Sequence, residues 1–425
     1  MKIISSVQIV LYKYISFSCY CACCHSYKMS RFNDIKLAVI SDLLKKKVFG
    51  DEIECVGCEF DSSTEDLRNT DMVFFSLNLR KGNESLIKKL VVKFEPKDAN
   101  VRRVMLTTPQ YFNELYAYLE IFPLVNDGKI EPAYPEFVVG SNAPELSYVV
   151  MEDLKESGYR MCKDLLYTDV DHVKLSLVEL GRFHALSYAA KEEKPAEFFR
   201  AVSKFKEAHY GENERVYHSV RVAFDRVVTR LPSKYSDQVE RFVKLIESKN
   251  RFFLEIVKPE EPMCVVCHGD FYLQNMMYRY SEGGRPIGVK FIDYAMMRYA
   301  SPVIDLSFFL FMNFSPKDRD RHLDELLEVY HDSLSSTFPH VTVPSLDDVK
   351  EEFRRKCIYG FLHTVYFLPV ISAVVTGDCP LDFQNMCDGV LAEKLNEILR
   401  TVGGDKAAEE VTEVVEDFFD HFPIG

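Results

Sequence analysis

The sequence predicts an α+β protein of two lobes, a small antiparallel-sheet lobe followed by a larger, mostly helical one. Three observations carry this. Apolar and β-branched runs flank a turn at Lys81-Gly82-Asn83. Helical periodicity dominates beyond Asp153, and no internal repeat or low-complexity linker interrupts the chain. At 425 residues, 47% hydrophobic and 28% charged, the chain has ordinary globular usage and suffices for two lobes around a cleft.

In chain order, residues 1–28 form an N-terminal extension unlike the rest, an apolar run from Ile3 to Val10 followed by Tyr, Ser and four cysteines. It reads as a signal segment, a disordered extension, or a start placed upstream of Met29. An amphipathic helix is expected over 33–47. Strands are expected over 71–79 and 86–94, on either side of the glycine turn. Thr108-Pro109 supplies an N-cap and a first-turn proline for a helix running to Phe122, where Pro123 ends it. A second strand pair covers 137–140 and 147–151. Helical spacing then appears at Val173, Leu177, Leu180 and His184, and near 213–230, 236–257, 321–337 and 346–372. The acidic stretch 406–419 reads as a solvated helix on the surface. The lobes are thus 29–153 and 154–425.

Charge narrows the function. Lys plus Arg number 52 against 65 Asp plus Glu, a net −13, and no basic run is longer than Lys45-Lys46-Lys47. Neither a nucleic-acid partner nor an anionic membrane surface suits such a field. A cytoplasmic protein is expected, its thiols mostly reduced, because 12 cysteines are too sparse for a disulfide scaffold. Two Cys-x-x-Cys pairs, Cys55/Cys58 and Cys264/Cys267, have the number of thiolates a zinc site needs. Their wide separation, and strand alternation that sends Cys264 and Cys267 to opposite faces, disfavour one.

The chemistry concentrates after the apolar strand 263–267. There His268-Gly269-Asp270 is followed by Asn275, five positions beyond Asp270. A phosphotransferase needs a carboxylate to accept the hydroxyl proton and an amide oxygen to hold a divalent cation, and a five-residue loop can aim both into one cleft. Two strand-like runs around 281–285 then deliver Asp293, a carboxylate at a strand end suited to Mg²⁺. Either Asp alone would read as a turn cap; the set together does not. Upstream, Lys93 on a strand is the expected phosphate-binding cation, and Glu114 on the following helix, favoured over Glu120, the carboxylate that holds it.

With Val149-Val150-Met151-Glu152-Asp153-Leu154, the Gly181–Ser187 run and Pro302-Val303-Ile304-Asp305-Leu306, these motifs resemble the ecdysteroid-kinase-like (choline-kinase-homology) family, in the wider aminoglycoside phosphotransferase and choline kinase group, over roughly residues 30–400. The resemblance implies a two-lobed protein-kinase-like fold with ATP in the cleft and a small-molecule alcohol, steroid-like or foreign, as acceptor. It further implies adenine against a hinge containing Met151, Glu152 and Leu154, Lys93 on the α/β-phosphates with Glu114 beside it, Asp270 as base, and Asn275 and Asp293 on magnesium. Asp305 and His268 are then structural supports of the site, and His184 a packed histidine.

Two features depart from that family. Asp293-Tyr294-Ala295 stands where relatives carry Asp-Phe-Gln, and Gly57 is the only glycine between Glu52 and Arg80, leaving a turn near 64–71 to cover the phosphates. They motivate a rival reading, a catalytically degenerate nucleotide- or ligand-binding protein. A protein kinase fits less well, because Gly269 replaces Arg and no Ala-Pro-Glu segment follows Asp293. The aromatic residues Phe308, Phe309, Phe311, Phe361, Tyr366 and Phe367 read as core.

Overall fold

The computed structural model describes residues 33–60, 72–144, 146–211, 214–376, 397–422 and 424. The 1–28 extension and the turn expected at 64–71 lie outside them. A helical segment, a π turn at Ile35–Val39 followed by α1 (Ile40–Lys45), opens the small lobe. Its sheet comprises β1 (Glu54–Phe60), β2 (Met72–Lys81), β3 (Glu84–Phe94), β4 (Phe137–Ala143) and β5 (Leu146–Glu152), in spatial order β1-β2-β3-β5-β4. All neighbours are antiparallel.

The β2–β3 hairpin closes on the pair Lys81 and Glu84, with Gly82 at φ +58°, the left-handed backbone that a two-residue turn requires. Strand alternation then sorts side chains. Val73, Phe75, Leu77 and Leu79 join Leu90, Val92 and Phe94 on one face, packed under Ile35, Val39 and Leu43. Val91 joins the core of the helical lobe instead, so Lys93, two positions on, shares the inward face.

Between β3 and β4 lie α2 (Ala99–Met105) and α3 (Thr107–Tyr116), which continues through a π turn at Ala117–Ile121 into Phe122–Val125. Both ends of this helix differ from expectation. Thr108 is no N-cap; Leu106, at φ 57°, separates the two helices, and the Thr108 hydroxyl donates to Glu95 instead. Pro123 does not stop the helix, because the π turn resets the hydrogen-bond register. The Phe122 N–H reaches back five residues to Ala117, and Pro123 falls in the first turn of the new segment, where no donor is missed.

The larger lobe begins with β6 (Arg160–Met161), α4 (Val170–Glu193), α5 (Pro195–Val202), α6 (Arg215–Val228), α7 (Ser236–Ile246) and α8 (Asn250–Ile256). Next come β7 (Val265–Cys267), β8 (Met276–Tyr280), β9 (Pro286–Phe291) and β10 (Arg298–Ala300), then α9 (Val303–Asn313), α10 (Pro316–Thr337), α11 (Leu346–Lys356), α12 (Ile358–Thr376) and α13 (Gly404–His421). β6, β8 and β9 form one small sheet, β7 and β10 another. The single helix expected over 236–257 is two, broken where Lys249 takes φ 56°. The acidic C-terminal helix is not merely a surface element: Val411, Val414, Val415 and Phe418 are buried, and the Phe418 ring stacks on Phe361 at 4.0 Å. Among the described residues α12 alone is long and apolar enough to cross a membrane, and 89% of its apolar stretch is buried inside the protein, as in a core helix.

The four-cysteine zinc site does not form. Cys55 and Cys58 sit on β1 in the small lobe, whereas Cys267 lies in the other lobe with its thiol directed at the Ala300 and Ser301 carbonyls. Close helix crossing sets a strict demand on sequence. A Cβ at Gly360 would lie 2.2 Å from the Ser307 carbonyl carbon, so α12 and α9 touch backbone to backbone. Gly360→Ala is therefore expected to cost about 3 kcal/mol or more by forcing them apart, read as a lowered melting temperature by circular dichroism; an unchanged melting curve would contradict this packing.

Candidate active site

Three elements converge on one ammonium group. Lys93 is paired across the sheet with Met72 and Val149, and its Nζ lies 2.6 Å from Glu114 Oε2 and 2.7 Å from Asp293 Oδ1. Glu114 comes from α3 and is wholly buried, while the rival Glu120 is exposed. Asp293 stands just past β9 at φ 69°, a left-handed conformation that Asp tolerates better than most residues. The Tyr294–Met296 turn that follows packs on α3. Ala295 is buried within that turn.

The loop between β7 and β8 carries the second half. Asp305 near the start of α9 accepts from the His268 N–H at 2.7 Å and the Gly269 N–H at 2.8 Å, and meets His184 Nε2 at 3.1 Å. His184 is held in turn by the Tyr330 hydroxyl. His268 accepts from the Asp270 N–H on Nδ1, so its other nitrogen, Nε2, is the one that donates, to the Ile292 carbonyl at 3.0 Å. One neutral imidazole thus ties the Asp270 loop to the strand end that presents Asp293. Burial lowers the His268 pKa, consistent with that neutral form. Gly269 sits at φ +81°, and a Cβ there would lie 2.0 Å from the Met296 carbonyl oxygen. An Arg at this position is sterically excluded here.

Asn275 completes the loop. Its Nδ2 donates to the Asp270 carbonyl at 2.8 Å and to Asp270 Oδ2 at 3.0 Å. The Ile292 N–H donates to the Asn275 backbone carbonyl, closing the base of the β8–β9 hairpin. Burial, with the nearby Asp293 charge, pushes the Asp270 carboxyl up to about 7. Burial likewise raises Glu114 against the pull of Lys93, whereas its two carboxylate partners outweigh burial and hold Lys93 above its usual range. Three buried carboxylates share one buried cation, an excess of negative charge that suits a divalent metal. Three acceptor atoms of this site, Glu114 Oε1, Asn275 Oδ1 and Asp293 Oδ2, are buried without a hydrogen-bond partner among the described residues. The Asn275 amide oxygen and the Asp293 carboxylate oxygen fit Mg²⁺.

The residues named for the crossover lie at the end of the sheet. Met151 and Glu152 end β5 and Leu154 opens a short 3₁₀ turn, Leu154–Ser157, capped by Asp153. The Glu152 carboxylate is engaged within the protein, accepting from the Glu136 N–H at 3.0 Å and lying 3.4 Å from Lys290. Two supports escaped sequence reasoning. Asn313 Oδ1 accepts from the Leu273 N–H at 2.8 Å, and the Tyr359 hydroxyl donates to the Gly269 carbonyl at 3.3 Å. A signal existed for Asn313: in the mostly apolar, fully buried α9, a polar residue must find a partner.

No curated protein sequence matches significantly. Solved structures that resemble this chain include the AMP-bound complex of spectinomycin phosphotransferase APH(9)-Ia, at 11% identity over 87% of this chain and 97% of that one, with a TM-score of 0.40. Ethanolamine kinase of Plasmodium vivax shows 11% identity over 92% and 93%, TM-score 0.41. The GDP complex of wild-type aminoglycoside 2′-phosphotransferase-IIIa shows 13% identity over 82% and 93%, TM-score 0.38. The model of the ecdysteroid kinase-like family matches residues 70–343, well over half of the sequence, and this protein belongs to that family.

Proposed function

We propose that the protein is an ATP- and Mg²⁺-dependent kinase that phosphorylates a hydroxyl of a small molecule, a steroid-like or foreign alcohol. One observation carries the reading: Lys93, Glu114, Asp270, Asn275 and Asp293 are gathered in one buried cluster in which the unpaired Asn275 Oδ1 and Asp293 Oδ2 suit a divalent cation. Family membership supports phosphoryl transfer to a small molecule. The lobes are taken as 29–153 and 154–425, with the nucleotide base against Met151, Glu152 and Leu154 at the crossover.

In this mechanism Lys93 neutralises phosphate oxygens, and Glu114 holds its ammonium in place. Asn275 and Asp293 would hold Mg²⁺, which supplies positive charge against the phosphates. Asp270 accepts the proton from the acceptor hydroxyl as that oxygen attacks the terminal phosphorus of ATP, whose bond to the bridging oxygen breaks so that ADP leaves. Asn275 Nδ2 fixes the orientation of the Asp270 carboxylate. His268 and Asp305 keep the loop in register and touch no substrate.

Calorimetric titration and steady-state kinetics test the separate roles. Asp270→Asn is expected to lower kcat by about 10²–10⁴-fold while leaving the Kd for MgATP nearly unchanged, because a base acts on the acceptor. Asp293→Asn should instead weaken nucleotide binding in the presence of Mg²⁺ and have little effect without it. Equal loss of affinity in both variants would refute the assignment, and a wild-type chain whose melting temperature does not rise with millimolar MgATP would refute the kinase reading altogether.

Asp270 also sets a pH dependence. Its carboxyl, raised to about 7 in the folded protein, is protonated and unable to act as base below that value. The kcat/KM profile, which reports the free enzyme, should therefore rise with pH through about 7 and level off above it. A profile flat from pH 5 to 8 would exclude Asp270 as the base.

A further inference from the structure

The irregular segment 203–211, between α5 and α6, is unusual in being buried at Ala208, His209 and Tyr210. A buried segment without regular structure must satisfy its backbone elsewhere, and at Lys206 and Ala208 this one does so on α3. Asn113 makes a reciprocal pair with Lys206, Nδ2 donating to the carbonyl at 2.8 Å and Oδ1 accepting from the N–H at 2.9 Å. Gln110 Nε2 donates to the Ala208 carbonyl at 3.3 Å. Asn113 and Gln110 are buried, and Asn113 immediately precedes Glu114.

The other side of the segment grips the elements around the catalytic loop. Glu207 caps the turn by accepting from the His209 and Tyr210 N–H groups, and lies 3.5 Å from Arg298 of β10, which pairs with Cys267 at the entrance to that loop. His209 Nε2 lies 3.0 Å from His363 Nε2 on α12. His363 Nδ1 faces the Tyr359 carbonyl at 2.8 Å, which only accepts, so Nδ1 carries the hydrogen and Nε2 is the acceptor for His209. Tyr359 in turn donates to the Gly269 carbonyl. None of these contacts belongs to the phosphate- or metal-holding set.

We infer that residues 203–211 form a strap that fixes the position of α3 against the catalytic loop, with Asn113 the positioning residue through which the strap sets the Lys93–Glu114 pair. The inference rests on the kinase reading of that pair. A strap bonded to α3 on one side and to β10 and α12 on the other couples nucleotide binding to the elements that carry Asp270. It does so without touching either substrate.

A double-mutant cycle on the full chain tests it, with the Kd for MgATP measured by calorimetry. Asn113→Leu removes both strap bonds at similar volume and should weaken MgATP binding about tenfold. Asn113→Asp keeps the bond from the Lys206 N–H and should fall between. In a Glu114→Gln background the Asn113→Leu change should cost nothing further, because its effect runs through Glu114. Full additivity of the two changes, or unaltered affinity in Asn113→Leu, would overturn the strap while leaving the kinase reading intact. If wild type binds MgATP but Glu114→Gln does not weaken it, the kinase assignment of the pair fails, and the strap with it. Should Asn113→Leu not fold, Gln110→Leu, which cuts the neighbouring bond, takes its place with the same expectations.

Discussion

The structure is organised around a single buried ammonium. Lys93 is the cation to which a helix carboxylate and a strand-end carboxylate both come within 2.7 Å, and all three groups are nearly closed to solvent. Removing charges from water is expensive, and attraction offsets that cost only when the geometry is held from all sides. Three unrelated stretches must therefore be placed together: β3 in register with β5, α3 at a fixed depth, and the end of β9 against both. Removing the lysine would leave Glu114 and Asp293 facing each other uncompensated, at a cost of about 3–5 kcal/mol for a broken buried pair.

The catalytic loop obeys a second constraint, set by backbone rather than charge. Asp305 receives two consecutive N–H groups from His268 and Gly269, an arrangement available only if the chain turns sharply at Gly269. The positive φ there and the Met296 carbonyl against the missing Cβ explain why glycine occupies the position. His268 then has no freedom to act as a base, since both ring nitrogens are engaged with backbone. The cluster of His184, Cys267 and Asp305 is the one group of converging metal-type ligands among the described residues. Its hydrogen bonds to Tyr330, Ala300, Ser301 and the loop account for those side chains without an ion.

Much of this was legible in the sequence because it depends on local rules. The hairpin at Gly82, the pairing of β4 with β5 and the Asp270-to-Asn275 spacing each follow from a few adjacent residues. What escaped depends on tertiary context. The π turn at Ala117–Ile121 has no local signature, so Pro123 looked like a stop. All eleven residues of α9 are buried, so the helix has no polar face to reveal its period. Segment 203–211 carries no pattern at all; its conformation is dictated by Asn113 and Gln110, some ninety residues earlier. A separation of 90 residues likewise hid the Tyr359 support of the loop.

Why an amide stands at 275 follows from the charges already present. Asp270, Asp293 and Glu114 outnumber the one Lys93 charge among them, and burial with the Asp293 charge already raises the Asp270 carboxyl to about 7. Aspartate at 275 would add a fourth carboxylate beside Asp270, force a proton onto one of the pair, and remove the donor that orients the base. Asparagine avoids this. Its nitrogen is used up on the Asp270 carbonyl and carboxylate, and that commitment fixes the amide so that its oxygen, unpaired like Asp293 Oδ2, remains available to a cation. One neutral side chain thereby fixes the Asp270 carboxylate and leaves an oxygen of its own unpaired, which a carboxylate at this position could not do without a proton.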